Sequence, residues 1–195
     1  MMLLMSTARC GRTPDVALAL EELGLTWSYE RVGDGFFTER YGRPGPLLRH
    51  GELELFEPAA IIRHLGRQAS NPELWPSREE ELTQAEQWMD FAISQVRPAV
   101  ARLMGMQLAG IEGPMLAEET KRLGQALSLV ERAVTGREYL LGRFTLADCA
   151  FTALSLLPRL RHAPSGLTAL SAYAQRLAAR PAAKQAAARL GAGPH

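Results

Sequence analysis

The spacing of apolar and polar residues along the chain changes near residue 67. Before that point, short apolar or alternating runs predict strands, and segments of helical periodicity separate them. The predicted elements are a strand at 2–5, a helix at 13–23, strands at 27–32, 46–49 and 52–56, and a helix at 57–65. Residues 33–45 are rich in glycine and are predicted to be irregular. The order β-α-β, then β-β-α, predicts a thioredoxin-like domain over residues 1–67.

The remaining two thirds of the chain have helical periodicity. Residues 68–78 contain Asn71, Pro72 and Pro76, a composition that is typical of a linker. The predicted helices beyond it are 79–108 with a kink at Pro98, 115–134, 145–157, 167–179 and 181–190. The helix at 145–157 is apolar on nearly every side and is therefore expected to be buried. The fold class predicted is an α/β thioredoxin-like domain followed by an all-α domain at 79–195.

Two helix starts carry a local sequence signal. Thr13 is predicted to be the N-cap of the first helix, with Pro14 at the first helical position. Thr145 and Asp148 form a capping box with aspartate in the place of glutamate. In that box Thr145 accepts from the Asp148 N–H, and the Asp148 carboxylate accepts from the Thr145 N–H. We therefore interpret Asp148 as a helix cap rather than as a catalytic acid.

Composition excludes several classes of function. The chain has 195 residues, with 22 basic and 21 acidic side chains and a net charge of +1, so no charge excess points to nucleic acid. Cys10 and Cys149 are far apart and do not form a disulfide framework, which suits a reducing compartment. The apolar start at residues 1–5 is too short for a signal peptide, and no apolar run is long enough to cross a membrane. We expect a cytoplasmic protein, and the alanine, arginine and leucine content favours a bacterial source.

Three segments together resemble the glutathione transferase superfamily over nearly the whole chain. The first is GPLL at 45–48, followed by LELF at 53–56 and EPAAII at 57–62. It is similar to the family's Val-Pro, hairpin, Glu-Ser-x-Ala-Ile pattern, with the same interval from the proline to the glutamate. The second is AL at 17–18 with EELGL at 21–25, and the third is YLLGRFTLAD at 139–148. The resemblance implies that glutathione is the co-substrate and that the protein is a homodimer. The four histidines have no metal-ligand spacing, so no metal is expected.

The resemblance also implies which residues bind glutathione. The family has a cis proline here, so the Gly45–Pro46 peptide bond is predicted to be cis, which would turn the backbone of Gly45 toward the cysteinyl part of the peptide. Glu57 corresponds to the acid that pairs with the γ-glutamyl amino group. The family's serine, which binds the γ-glutamyl carboxylate, is replaced by Pro58, which has neither hydroxyl nor N–H. The Ala59 N–H or a water can substitute for the serine. The alternative interpretation is that Pro46 only begins an edge strand and that Glu57 only begins a helix.

The group that activates the glutathione thiol is expected between the first strand and the first helix. Ser6 and Cys10 align with the family's beta class, the bacterial cysteine type, although that class has a tyrosine where Met5 stands. A cysteine just before a helix can have a lowered pKa and form a mixed disulfide. Ser6 and Thr7 are rival hydroxyl donors. Arg9 and Arg12 can attract the anionic peptide, although a solvated surface charge is the favoured interpretation of both.

The sequence gives the least information about the pocket for the second substrate, the electrophile. Met104, Leu108 and Ile111 lie where the family lines its electrophile pocket, and helix packing explains them equally well. Two functions follow. The first is an enzyme that conjugates glutathione to a small apolar electrophile, or uses it to reduce a disulfide or peroxide. The alternative is a non-catalytic binding or regulatory protein of the same fold, which Pro58 favours.

Overall fold

The computed structural model describes residues 1–8, 10–42, 45–69 and 71–191 of the chain. These residues form two compact units, one of residues 1–75 with 179–191 and the other of residues 76–178. The sequence-based ranges assigned residues 179–191 to the helical domain. In the structure this last segment packs on the first helix instead.

The first unit has a four-stranded mixed sheet. Its strand order is β2-β1-β3-β4; β1 and β2 are parallel, and the other two neighbouring pairs are antiparallel. The elements are β1 (Met2–Ser6), α1 (Thr13–Glu22), β2 (Trp27–Arg31), α2 (Asp34–Tyr41), β3 (Leu47–His50), β4 (Leu53–Phe56), α3 (Pro58–Ala69) and α8 (Pro181–Gly191). This is the thioredoxin-like arrangement that the sequence predicted.

Helix α2 was not predicted, because residues 33–45 were expected to be irregular. Its apolar residues are few, but Phe37 and Tyr41 lie one turn apart on the same face. Phe37 is buried against Met5 and Leu47, and Tyr41 packs at the edge of this cluster. The glycines at 33, 35 and 42 indicated an irregular segment, so the one-turn spacing of Phe37 and Tyr41 was not interpreted as a helix. The helix forms because tertiary packing of its aromatic face stabilises it.

The start of α1 also differs from the prediction. Thr13 lies inside the helix, and the N-cap position belongs to Arg12, whose side chain makes no capping hydrogen bond. The Cys10 N–H donates to the Thr7 carbonyl at 3.2 Å, and the Thr13 N–H donates to the Cys10 carbonyl at 3.2 Å. These two successive turns start the helix one residue earlier than a threonine cap would.

Helix α8 is held to α1 and β2 by two arginines. Arg180 forms an ion pair with Glu22. Arg189 lies 3.0 Å from the Glu21 carboxylate, donates to the Trp27 carbonyl at 2.8 Å, and sits 4.8 Å from the centre of the Trp27 ring. The segment from the far end of the chain is therefore part of the first unit's structure.

Among the residues that the structure describes, the second unit contains helices and connecting turns but no strand. It contains α4 (Glu79–Phe91), a π turn (Ala92–Val96), α5 (Arg97–Leu108), α6 (Pro114–Val134), a 3₁₀ helix (Asp148–Arg159) and α7 (Thr168–Ala179). The π turn divides the predicted helix 79–108 just before Pro98, whose missing N–H interrupts the α-helical ladder.

The predicted helix at 145–157 is the 3₁₀ helix. Its first turns are closed by hydrogen bonds between residues three apart, from the Cys149 N–H to the Leu146 carbonyl and from the Ala150 N–H to the Ala147 carbonyl. Phe151 and Leu154 are buried, as the apolar pattern predicted. In the described part of the chain, no helix is both long enough and apolar enough to cross a membrane.

Candidate active site in the first unit

Arg12 joins three segments that are far apart in sequence. Its Nη1 atom lies 3.1 Å from Oε2 of Glu57, at the start of α3. Its Nη2 atom would lie 3.2 Å from a Cβ atom placed on Gly45, just before β3. The loop between β1 and α1, the residues before β3, and the start of α3 therefore meet at one guanidinium. Two of these segments carry predicted glutathione-site residues.

The environment of Arg12 contradicts the interpretation of it as a solvated charge. Its side chain is 19% exposed, and that of Glu57 is 31% exposed, so the pair is half-buried and still reachable from solvent. No local sequence signal identifies this contact, because its partners lie 33 and 45 residues away. Arg9, the other arginine considered at the site, lies outside the described residues.

Glu57 has a strained backbone. Its φ of +71° lies in the left-handed region, which costs a non-glycine residue about 1–2 kcal/mol. Pro58 follows as the first residue of α3, and the Ile61 N–H donates to the Glu57 carbonyl at 3.1 Å. Because the first turn of a helix has N–H groups with no intrahelical acceptor, Ala59 and Ala60 present donors at this end. Strained residues of this kind cluster at ligand sites.

The Gly45–Pro46 peptide bond is trans, as are the other peptide bonds of the described residues. The prediction of a cis bond is wrong. The interval from Pro46 to Glu57 fixes the length of the hairpin but carries no information on the isomer, and trans is intrinsically favoured by about 0.5–1 kcal/mol. Gly45 and Pro46 are both buried. The geometry of the site therefore depends on Arg12 and Glu57 rather than on a cis proline.

The candidate thiol-activating residues have different environments. Ser6 is buried at the end of β1, and its Oγ atom lies 2.9 Å from the Tyr29 hydroxyl. Thr7 and Thr13 are also buried, and neither hydroxyl has a hydrogen-bond partner among the residues that the structure describes. Cys10, which lies between Thr7 and Thr13 in the sequence, is a free cysteine and is half-buried. The Ser6 hydroxyl is therefore bonded to a side chain of the neighbouring strand β2. Thr7 and Cys10 instead lie in the loop that leads to Arg12.

The Asp148 carboxylate is fully buried in the second unit and accepts four hydrogen bonds. They come from the Thr145 N–H at 2.8 Å, the Thr145 hydroxyl at 3.3 Å, the Leu140 N–H at 3.4 Å and the Tyr173 hydroxyl at 2.8 Å. The predicted bond from the Thr145 N–H is confirmed. The Thr145 hydroxyl donates instead of accepting, because the Asp148 N–H bonds to the Thr145 carbonyl. Burial raises the pKa of Asp148 to about 6.

The three residues proposed for the electrophile pocket do not share the depression that Ile111 lines. Ile111 borders a space of about 10 Å³, which is room for about one water molecule. Met104 and Leu108 are not among its lining residues. Met104 is half-buried, and Leu108 is 83% exposed.

A family model and a plant protein match the sequence. The model described as "Glutathione S-transferase, C-terminal domain" matches residues 96–181. Glutathione S-transferase 4 of Zea mays is 33% identical over 190 residues, which cover 87% of this chain and 84% of that protein.

Two solved structures resemble the fold. The theta class glutathione S-transferase of Xanthomonas axonopodis pv. citri with glutathione bound has a TM-score of 0.77 and 23% identity, covering 95% of each chain. The nitrogen regulation fragment of the yeast prion protein Ure2p has a TM-score of 0.84 and 21% identity, covering 98% of this chain and 96% of that chain. Both share the architecture of a thioredoxin-like and a helical part.

Proposed function

Because the chain belongs to the glutathione S-transferase family, we propose that it binds glutathione at the Arg12–Glu57 site and uses Cys10 to reduce mixed disulfides. The observation that carries this proposal is the placement of Cys10. It is a half-buried free thiol in the same loop as Arg12, and the competing hydroxyl of Ser6 is bonded to Tyr29.

The reaction has two steps. The Cys10 thiolate attacks the glutathione sulfur of a mixed disulfide, which breaks the sulfur–sulfur bond and releases the substrate thiol. The thiolate of a second glutathione then attacks the disulfide on Cys10, which releases oxidised glutathione and restores the thiol. Electrons pass from the second glutathione to the substrate, so neither step needs another reductant.

Conjugation of glutathione to a small apolar electrophile is the less supported use of the same site. A conjugating enzyme needs an apolar surface that holds the second substrate close to the sulfur. Among the described residues, Ile111 borders a space of about 10 Å³ and Leu108 is 83% exposed, so neither residue forms such a surface with the other. Peroxide reduction remains within the proposal. The Cys10 thiolate would attack a peroxide oxygen, which breaks the O–O bond and gives a sulfenic acid and an alcohol or water. One glutathione would condense with the sulfenic acid to a mixed disulfide with loss of water, and a second would release oxidised glutathione as above.

A non-catalytic role is the second candidate, and one observation favours it. Pro58 removes a hydroxyl and an N–H from the start of α3, where an anionic ligand would otherwise be bound. One protein of similar fold is described as a nitrogen regulation fragment. A binding or regulatory protein would keep the site but not depend on the Cys10 thiol.

The test is turnover of a glutathionylated peptide with excess glutathione. Cys10→Ala is expected to lower the rate by roughly 100-fold or more, because the nucleophile is lost. Cys149→Ala is the matched control, since it removes the chain's other thiol, which is buried in the second unit. Trapping the glutathione adduct on Cys10 by mass spectrometry would support the first step. Unchanged turnover by Cys10→Ala would overturn the mechanism, and glutathione binding without turnover by the wild type would favour the regulatory role.

The proposal also includes a cytoplasmic location and a homodimeric state. Two free cysteines suit a reducing compartment. Light scattering after size-exclusion chromatography tests the homodimer, for which a mass near that of one chain would be the contrary result.

A further inference from the structure

We propose that His50 and His64 form a binding site for a divalent transition-metal ion, in which the two imidazole nitrogens that face each other become the protein ligands. The Nδ1 atom of His50 lies 3.1 Å from the Nε2 atom of His64. The site lies within the first unit and does not depend on the proposed binding of glutathione.

The fold brings these two side chains together from different elements. His50 is the last residue of β3, where it is opposite Met2 of β1 and Leu53 of β4. His64 lies in the middle of α3. The two histidines are 14 positions apart in the sequence. The expectation that no metal binds rested on short ligand intervals, roughly three to five residues between histidines, which do not reveal a pair formed in this way.

The separation of the two nitrogens suits a shared metal ion. Bonds from an imidazole nitrogen to zinc are about 2.0–2.1 Å long. Two such bonds to nitrogens 3.1 Å apart would meet at the ion at about 98°, between the about 90° of square-planar and the about 109° of tetrahedral coordination. The nitrogens are therefore already at the distance of two ligands of one ion. Rotation of the rings about their side-chain bonds turns both lone pairs toward it.

Both rings can present a lone pair without becoming charged. In their mutual hydrogen bond, one of the two facing nitrogens carries a hydrogen atom and the other accepts it. The donor ring can carry this hydrogen on its other nitrogen instead, because neutral imidazole has two tautomers. Both facing nitrogens then bind the ion, and each ring stays neutral.

The surroundings favour neutral imidazole, which is the form that binds a metal. His50 and His64 are both half-buried. The pKa of His64 is lowered from its usual value by burial, and further by the nearby positive charges of His50 and Arg67. Because a protonated imidazole has no lone pair for a metal, the lowered pKa keeps this ligand available at neutral pH. Arg67 also repels a bound cation, which limits the affinity.

The ion would join the end of β3 to the middle of α3. Among the described residues, no third histidine, cysteine or acidic side chain completes a group of three, so water would occupy the other coordination positions. Both elements lead away from the proposed glutathione site, by about 16 Å of extended chain from Gly45 to His50 and about 10 Å of helix from Glu57 to His64. A bound ion would therefore stabilise the first unit without contacting that site.

The experiment is calorimetric titration with Zn²⁺ at about pH 7.5 and without glutathione, whose thiol would compete for the ion. The wild type should bind Zn²⁺, and His50→Gln and His64→Gln should each bind it about tenfold or more weakly, because each removes one of two ligands. His162→Gln is the matched control, since His162 is exposed in the second unit, and its affinity should equal that of the wild type. Mg²⁺, which prefers oxygen ligands, should not bind.

Stability and pH provide independent readouts. Zn²⁺ at about ten times its dissociation constant should raise the Tm of the wild type by about 3–6 °C, and that of His64→Gln by about 1 °C or less. The affinity should fall between about pH 7.5 and about pH 5.5, because protons compete for the imidazoles.

Three results would overturn the inference. Absence of Zn²⁺ binding by the wild type would leave only a hydrogen bond between two neutral rings. Equal affinity of the wild type and both variants of the pair would place the ion elsewhere, for example at Cys10. An equal loss in His162→Gln would show unspecific binding to surface histidines. Thermal unfolding without metal verifies that each variant is folded.

Discussion

The start of α3 and the start of the 3₁₀ helix each place an acid at a helix N-terminus, and the two acids have different surroundings. Asp148 is fully buried, and all four of its hydrogen-bond donors come from the same unit. Glu57 is 31% exposed, has a strained φ, and pairs with an arginine 45 residues away. An acid whose hydrogen bonds are completed within the chain stabilises the fold. An acid held at a strained, accessible position remains able to bind a ligand.

The largest effect expected from this comparison is on stability. Asp148→Ala should lower the free energy of unfolding by about 4 kcal/mol, because the buried N–H and hydroxyl donors of Leu140, Thr145 and Tyr173 lose their acceptor. Glu57→Ala should change it by about 1 kcal/mol or less, since a partly exposed ion pair contributes little. Urea unfolding of the two variants measures both. A loss at Glu57 as large as the loss at Asp148 would contradict the distinction.

A change at Pro58 should alter binding and leave stability nearly unchanged. Pro58→Ser adds a hydroxyl and an N–H to the start of α3, so glutathione affinity should rise about tenfold. Serine is favourable at a helix start, so the free energy of unfolding should stay near that of the wild type. Pro114→Ser is the control, because Pro114 lies in the same position of α6. An unchanged affinity would mean that the existing donors already satisfy the carboxylate.

The contribution of Asp148 to stability should depend on pH. The pKa of Asp148 is raised from 3.8 to about 6 by burial, so the folded state binds more protons than the unfolded state between these values. Stability from this group therefore rises as the pH falls through 6. Between pH 7 and pH 5 the wild type should gain about 1 kcal/mol relative to Asp148→Asn, as measured by urea unfolding of both proteins. A difference that stays constant or changes in the other direction would rule out a raised pKa.

The smallest effect concerns the backbone of Glu57. Glycine adopts a φ of +71° without the steric cost that other residues have. Glu57→Gly should therefore be more stable than Glu57→Ala by about 1 kcal/mol, although both lack the carboxylate. Gly51, with a φ of +62°, offers the reverse test, since Gly51→Ala should lose a similar amount. Equal stability of the two Glu57 variants would show that the backbone relaxes.

The sequence predicted correctly those features that arise from residues close together along the chain. The bond from the Thr145 N–H to Asp148 was predicted because the two residues are three apart. The hairpin from β3 to β4 was predicted because Gly51 lies between two short apolar runs. The comparisons confirm the superfamily and the fold class, while the beta-class resemblance and the bacterial source stay predictions.

The errors came from contacts between distant segments. Helix α2 forms because Phe37 packs against Met5 and Leu47, which local periodicity does not reveal. Arg12 was interpreted as a surface charge because Glu57 is 45 residues away. The isomer of the Gly45–Pro46 bond was inferred from an interval that does not determine it. The residues of the site could thus be proposed from motifs, whereas the contact between Arg12 and Glu57 could not.

The position of α8 has a consequence for how the chain is made. Arg180 and Arg189 reach Glu22, Glu21 and Trp27 across more than 150 residues. A ribosome releases the N-terminal strands before the helical unit, yet α8, which packs on α1, is synthesised after that unit. During translation α1 is therefore made first, and α8 becomes available to pack on it only after the helical unit has been produced. Contacts of such long sequence separation slow folding, so the first unit should reach its final form only after α8 has emerged from the ribosome.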